Sequence, residues 1–386
     1  MSAAQVLTYE GCNFFRQRLV LATLSSRPIR IIRIRQDSDE PGIKEYEAGF
    51  IRLLDTLTNG SRIEVNETGT DLFFEPGLLL GGTLEHVCSQ QRSIGYFLEP
   101  LCMLAPFAKK PMRITLKGIT NGPDDPSVDY YRICVLPLLK KFLPDNELEL
   151  KIRRRGMWPT GSGEVYFSCP VVKRMKAMMM VEEGKVRRVR GIAYCMRVNP
   201  AMANRMVDSA RSVLNSYLPD VYIYTDAIKG ADAGKCPGFG LTLVSESTAG
   251  VTHAAENSSV LKGVNPSGGR EVTAEVAGPA RPVLPEDVGK QAALMLIEEI
   301  VKGGCADSGS QVIALLFMAL GQQDVSKLKL GQLSPYTIQF LRHMRDFLQV
   351  TYKIDCQQEE MDDISRQVVT LTCVGVGFSN FSKGMT

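Results

Sequence analysis

No stretch of this sequence is apolar for long enough to cross a bilayer. Its longest apolar runs, such as Ile313 to Leu320, are far shorter than the roughly 20 residues a helical span needs. The N-terminal MSAAQVLTYEG has no basic flank followed by a long apolar stretch. No secretory signal or membrane association is therefore expected, and the chain reads as intracellular. Ten cysteines are present without a single Cys-x-x-Cys pair, which weighs against a zinc site or a disulfide framework. Several of them (Cys102, Cys134, Cys373) sit inside apolar runs, where a free thiol behaves as a small hydrophobe. Histidine is scarce: His86, His253 and His343 are the only three, and they are isolated from one another. No metal and no cofactor is expected.

What is present is a globular composition, 44% hydrophobic and 23% charged over 386 residues. That length exceeds one ordinary core, so a large body and a smaller domain are expected. The net charge of +3 conceals an asymmetry. Residues 151–190 hold eleven Lys/Arg against three acids, so the remaining chain is net negative, with an acidic tail around Glu359, Glu360, Asp362 and Asp363. The basic stretch is either a solvated face or a surface that contacts RNA phosphates, where clustered cations release counterions on binding. The candidates for phosphate contact are Lys151, Arg153, Arg154, Arg155, Arg187, Arg188 and Arg190 in this stretch, and Arg16 outside it. Alternation along a strand would send Lys151, Arg153 and Arg155 to one face as a cationic row. The alternative is that they pair with acids such as Glu149 and Glu164.

The order of elements suggests an α+β body. Phe14 to Leu24 has helical spacing, Ile29 to Ile34 reads as a strand, a helix follows over Tyr46 to Thr58, and strands follow at 62–66 and 71–74. A similar order recurs from residue 88, with helices at 93–104 and 127–142 and strands at 112–117, 147–153 and 163–168. Ser127 is placed there as a helix N-cap. A third copy is read from Glu286, with helices to Val301, at 312–320 and at 335–348, then strands at 351–355 and 368–374. Three repeated βαβαββ-like units forming a pseudo-threefold body are therefore expected. Residues 185–285 interrupt the rhythm with a βαββ pattern. Its helix starts at Asn199-Pro200 and has one apolar face. Its exit, Glu256 to Pro285, is rich in Gly, Pro and Ser and reads as a mobile linker. The expected domains are thus 1–184 and 286–386 for the body, and 185–285 for an insert.

Several motifs give the chain a specific likeness. Arg16 with Ser26-Arg27-Pro28-Ile29-Arg30, Glu75-Pro76-Gly77 with Gly81-Gly82, the run Arg155-Gly156-Met157-Trp158-Pro159-Thr160-Gly161-Ser162-Gly163, and Phe317-Met318-Ala319-Leu320 resemble the RNA 3'-terminal phosphate cyclase family. Arg92 to Glu99, Gly321 to Val325 and Val374 to Asn380 resemble its cyclase-like subfamily. A cyclase of that family passes AMP from ATP to an RNA 3'-phosphate through a histidine adduct, which needs a positioned imidazole. In that histidine's sequence context this chain reads Leu333-Ser334-Pro335-Tyr336-Thr337, so Ser334 stands at the nucleophile position. His343 lies nine residues on, about 13 Å along a helix. The family's Gly-Gly-Gly turn is Cys12-Asn13 here, its Gln-His pair is Tyr46-Glu47, and its Asp-Gln pair is Val312-Ile313. Four losses around one site imply that nucleotide chemistry is gone.

The resemblance implies a nuclear and nucleolar factor of the small-subunit processome, acting on pre-rRNA with a nucleolar GTPase partner. Two readings follow. One is a non-catalytic assembly factor that binds RNA and protein. The other is an endonuclease that cuts the pre-rRNA spacer upstream of the small-subunit rRNA, which requires an acid/base pair or metal carboxylates near a phosphate. Asp307, Asp324 and Asp346 are the candidate carboxylates, and Arg345-Asp346 would pair a phosphate grip with one of them. They share no tight motif, and an exposed helical ion pair accounts for Arg345 and Asp346 equally. Gly230 to Cys236 faintly resembles a phosphate loop. It is one residue short, ends in Cys where magnesium binding needs Ser or Thr, and links two strands.

Overall fold

The computed structural model describes residues 6–143, 147–259, 283–361 and 364–380. The first unit comprises β1 (Leu7–Glu10), α1 (Phe15–Ser25), β2 (Ile29–Ile32), α2 (Glu45–Leu57), the two-residue β3 (Thr58–Asn59), β4 (Arg62–Val65) and β5 (Leu72–Glu75). The short β6 (Leu78–Leu79) closes on β3. The second comprises β7 (Gly81–Val87), α3 (Ile94–Leu104), β8 (Lys110–Gly118), α4 (Val128–Tyr130), a π-turn over Tyr131–Val135, α5 (Leu136–Phe142), β9 (Glu149–Arg154) and β10 (Gly163–Cys169). Ser127 caps α4 as its sequence predicts, accepting the amide of Tyr130.

After β11 (Met179–Met180) the chain builds the smaller unit: β12 (Val186–Met196), α6 (Ala201–Leu214), β13 (Val221–Ile228), β14 (Gly238–Ser247), β15 (Thr252–Ser258) and α7 (Pro285–Lys302). It then returns through α8 (Gln311–Leu320), β16 (Val325–Leu330), α9 (Pro335–Leu348), β17 (Lys353–Met361) and β18 (Ile364–Val374). Three sheets share one strand order, β1-β2-β5-β4, β7-β8-β10-β9 and β11-β16-β18-β17. In each, the first two strands are parallel and the last two form an antiparallel pair. Parallel neighbours need a crossover, supplied by α1 and α3 in the first two units, whereas antiparallel neighbours need only a turn. In the third unit the crossover holds the whole of β12 to α8. The α+β class read from the sequence is the class observed.

One apolar core unites the three units, with Phe50, Phe97, Phe167, Phe317 and Phe340 fully buried in it. Helix α8 is buried all round, as its unbroken apolar sequence requires. A second core holds Val189, Met206, Leu241 and Ile223 together with Val288, Ala292 and Leu296 of α7. Helix α7, at the head of the third unit in the sequence reading, therefore packs with the sheet β13-β12-β14-β15. Asn199 Oδ1 accepts the amide of Ala201 at the start of α6. The segment expected to be a mobile linker begins inside β15, and its residues 260–282 lie outside the described residues. Gly230–Ala233 forms a 3-10 turn between β13 and β14 and leads into no α-helix, so the helix N-terminus of a phosphate loop is missing. Among the described residues no helix is long and apolar enough to cross a membrane.

Candidate functional site

Helices α1, α3 and α9 converge beside Ser334. The Ser334 Oγ accepts the amide of Thr337 at 3.1 Å and meets its hydroxyl at 2.9 Å. The Thr337 hydroxyl donates in turn to Gln311 Oε1 at 2.8 Å. Ser334 is the N-cap of α9, with Pro335 at the first helical position, a pairing that suits the orphan amides of a helix start. His343 is fully buried further along α9. Its Nδ1 faces Gln17 Oε1 at 3.1 Å and its Nε2 faces the amide of Gln339 at 3.2 Å. Burial, aided by the charge of Arg18, pushes its pKa down to about 3. It is a neutral packing residue and offers no imidazole to a nucleotide.

Around this cap the polar groups are bound to one another. Arg16 donates to the carbonyl of Tyr96 at 2.8 Å, pairs with Glu99 at 2.9 Å and lies 4.3 Å over the Tyr96 ring. Burial opposes its charge, but Glu99 and the neighbouring tyrosines outweigh that and hold its pKa above the ordinary value. Tyr336 donates to Glu99 at 3.2 Å. Arg92 grips Asp125 at 2.8 and 2.5 Å and lies 4.9 Å from the centre of the same Tyr96 ring. Glu47 takes both prongs of Arg35 at 2.7 Å and also accepts the amide of Lys44, closing the start of α2. Of the positions read as lost nucleotide ligands, Val312 and Ile313 are buried in the apolar core. The Gly11 carbonyl at the N-terminal turn accepts from Arg18 at 2.8 Å. Arg16, a candidate for RNA phosphate, is thus committed to Glu99 and Tyr96. The sequence reading missed Arg92, Tyr96 and Glu99 as site residues, although Tyr96 and Glu99 stand three apart on α3 and Arg92 just precedes its N-cap.

A cavity of about 310 Å³ opens nearby, where Asn121 to Ser127, Tyr130 and Asp307 to Gly309 face β15 and the end of α7. Asp124, Asp125, Glu256, Glu298, Glu299 and Asp307 line it, against Lys302 as the one cation among the lining residues. Such a lining repels phosphate.

The expected cationic row is not formed as read. Lys151 and Arg153 are exposed on β9, each beside an acid: Lys151 at 2.6 Å from Glu149, Arg153 at 3.0 Å from Glu164. Arg155 has left the row. The register slips between Glu164 and Val165, β9 ends at Arg154, and Arg155 turns inward onto Asp129 and Asp226. Arg154 keeps its Nε buried with no hydrogen-bond partner among the described residues. The following turn is backbone-tight. Gly161, at φ +67°, would place a Cβ 2.9 Å from the Gly118 backbone, which only glycine tolerates. On β12, Arg188 pairs with Glu246 and Arg190 with Asp220. Arg187 is exposed with no ion pair among the described residues.

The three aspartates have separate employments. Asp307 is buried, accepting from Tyr130 and the Ala254 amide and bonded to Ser310. Burial raises its pKa against the hydrogen bond from Ser310. Asp324 caps the Val325 amide. Asp346 accepts from Tyr9 at 3.3 Å and stands 3.8 Å from Arg345. Among the described residues no group of three or more His, Cys, Asp or Glu is placed to hold a metal ion.

The family model described as RNA 3'-terminal phosphate cyclase matches residues 7–354. The chain is 56% identical over 381 residues, 98% of each chain, to the RNA 3'-terminal phosphate cyclase-like protein of Homo sapiens. It is 47% identical over 384 residues, 98% of this chain and 97% of the relative, to a probable protein of the same name from Drosophila melanogaster. It is also 42% identical over 385 residues, 99% of each, to the rRNA processing protein rcl1 of Schizosaccharomyces pombe.

Proposed function

Because this chain belongs to the RNA 3'-terminal phosphate cyclase family, we propose that it is a non-catalytic factor of rRNA processing, acting on pre-rRNA within the small-subunit processome in the nucleolus. The observation that carries this reading is the engagement of Ser334. At the position where a cyclase needs an imidazole, its hydroxyl is consumed in capping α9, and a hydroxyl held as a cap cannot form the histidine phosphoramidate. The mutually bound Arg16, Glu99, Arg92 and Asp125 and the acid-lined cavity support the same reading. So does the rRNA processing protein of S. pombe among the relatives. A GTPase of small-subunit assembly is the proposed partner, through a buried surface above about 1,000 Å².

The endonuclease reading draws no support from Asp307, Asp324 and Asp346, each occupied in its own local network. The test is incubation of the full-length protein and magnesium with end-labelled RNA spanning the spacer upstream of the small-subunit rRNA. Bound but uncut RNA is expected. Cleavage at a unique position that disappears in Asp346→Ala replaces this reading with the nuclease one.

A further inference from the structure

The smaller unit carries two large aromatic rings with no structural employment. Tyr222 and Tyr224 lie on β13, the edge strand of the sheet β13-β12-β14-β15, and each is 57% exposed. Ile223 between them is buried with Met206 and Leu241, so alternation sets both tyrosines on the opposite, outer face of the sheet. Among the described residues neither ring meets another ring or an arginine.

The cross-strand register shows what that face does elsewhere. Tyr222 stands beside Arg190, Arg190 opposite Val244, and Val244 opposite Ala254. Val244 and Ala254 belong to the core of the three-unit body. One row of side chains therefore runs from the body's interior at β15 to open solvent at β13. Half of the face docks the unit onto the body, and the other half is left bare.

The bare half is not simply apolar. On β12, Arg190 stands beside Tyr222 and Ile192 beside Tyr224, with Arg188 two positions before Arg190. Each arginine is held in a fixed direction by one acid, Arg188 by Glu246 and Arg190 by Asp220. The guanidinium groups of Arg188 and Arg190 are thereby fixed in place on this face. Arg187 is exposed at the irregularity of β12 just before Arg188, where the register with β14 slips. Residues two apart on a strand stand about 6.6 Å apart, which gives each ring room for one base. Exposed rings on a sheet with cations alongside match the demands of an unpaired RNA strand, whose bases stack on aromatic faces while its phosphates seek arginine.

We propose that Tyr222 and Tyr224, with Arg187, Arg188 and Arg190, form a stacking platform for two successive nucleotides of single-stranded RNA. The platform rests on the reading that this protein acts on pre-rRNA, and lies apart from the capped Ser334 site.

The test uses the full-length protein and a fluorescently labelled single-stranded RNA of mixed sequence, with the same sequence as a duplex for comparison. Tyr222→Ala and Tyr224→Ala should each weaken single-strand binding about fivefold or more, while Tyr222→Phe and Tyr224→Phe stay near the parent. The alanine variants should leave the slope of log affinity against log salt unchanged. Arg187→Ala should flatten it by about 0.7. Because both rings are exposed, thermal unfolding of the variants should overlay the parent's. Parental RNA affinity in the Tyr222→Ala/Tyr224→Ala double variant overturns the platform and leaves the rRNA reading standing. If that same variant instead loses a protein partner, the face is a protein-docking edge and the RNA assignment falls. A parent protein that binds neither single strand nor duplex sinks the RNA reading itself, and the platform with it.

Discussion

Arg155 holds Asp129 with two prongs, and the two side chains are only 3% and 0% exposed. Its Nε reaches a second acid, Asp226 of β13, at 3.0 Å, so a single guanidinium ties the end of β9 to α4 and to the smaller unit. Burial opposes both charges. The pair overcomes it in both directions, holding Arg155 above and Asp129 below their ordinary values.

Removing that guanidinium leaves a buried carboxylate with only the half-exposed Arg132, 3.1 Å away, as a cationic partner among the described residues. Arg155→Ala should therefore lower stability by about 3–5 kcal/mol, read as a shifted midpoint in urea unfolding. Arg155→Lys should recover little, because an ammonium cannot reproduce the fork on Asp129. A variant as stable as the parent means that this tie does not hold the two units together.

Lys151 and Arg153 should behave in the opposite way. Both are exposed beside Glu149 and Glu164, so replacing both by alanine should change stability by no more than about 0.5 kcal/mol for each substitution. If they contact RNA phosphates, the salt slope of binding should flatten by about 1.5. A slope and affinity equal to the parent's remove them from the RNA surface.

The cap at Ser334 predicts two separate results. Ser334→Ala should cost about 1 kcal/mol through loss of the α9 cap. Ser334→His, incubated with labelled ATP and a divalent metal, should acquire no AMP, since Val312-Ile313, Tyr46-Glu47 and Cys12-Asn13 remain as they are. An acid-labile adduct on that variant shows that one residue sufficed.

His343 gives a pH dependence of definite sign. Its pKa is depressed to about 3 in the folded chain, against roughly 6.5 unfolded. Above about pH 6.5 both states are neutral there and the residue adds no slope. Below it the unfolded state takes up the proton first, so stability falls with pH by up to about 1.4 kcal/mol per unit until about pH 3. Subtracting the stability profile of His343→Gln from the parent's should isolate that slope. Parallel profiles mean that His343 protonates freely in place.

Local chemistry made much of the fold legible. Ser127 and the Pro335 helix start announce themselves by residue type, and the apolar run at 313–320 can only be buried. The serine at 334 is equally a property of the sequence. Strands Leu7–Glu10, Gly81–Val87, Thr252–Ser258 and Val325–Leu330 went unread. Each is short or carries glycine or polar residues, and gains its place from neighbours already paired.

The destination of each charge belongs to the tertiary structure. Arg153 and Arg155 differ by two positions in a uniformly basic run, yet one faces water and the other is buried on Asp129. That depends on a register slip against β10 and on where a remote helix delivers Asp129. Tyr222 and Tyr224 likewise read as ordinary strand residues. Sequence alone determined that serine and not histidine stands at position 334, because residue identity needs no fold. Which arginines and tyrosines remain open to a partner was decided by packing, because exposure is set by elements far apart along the chain.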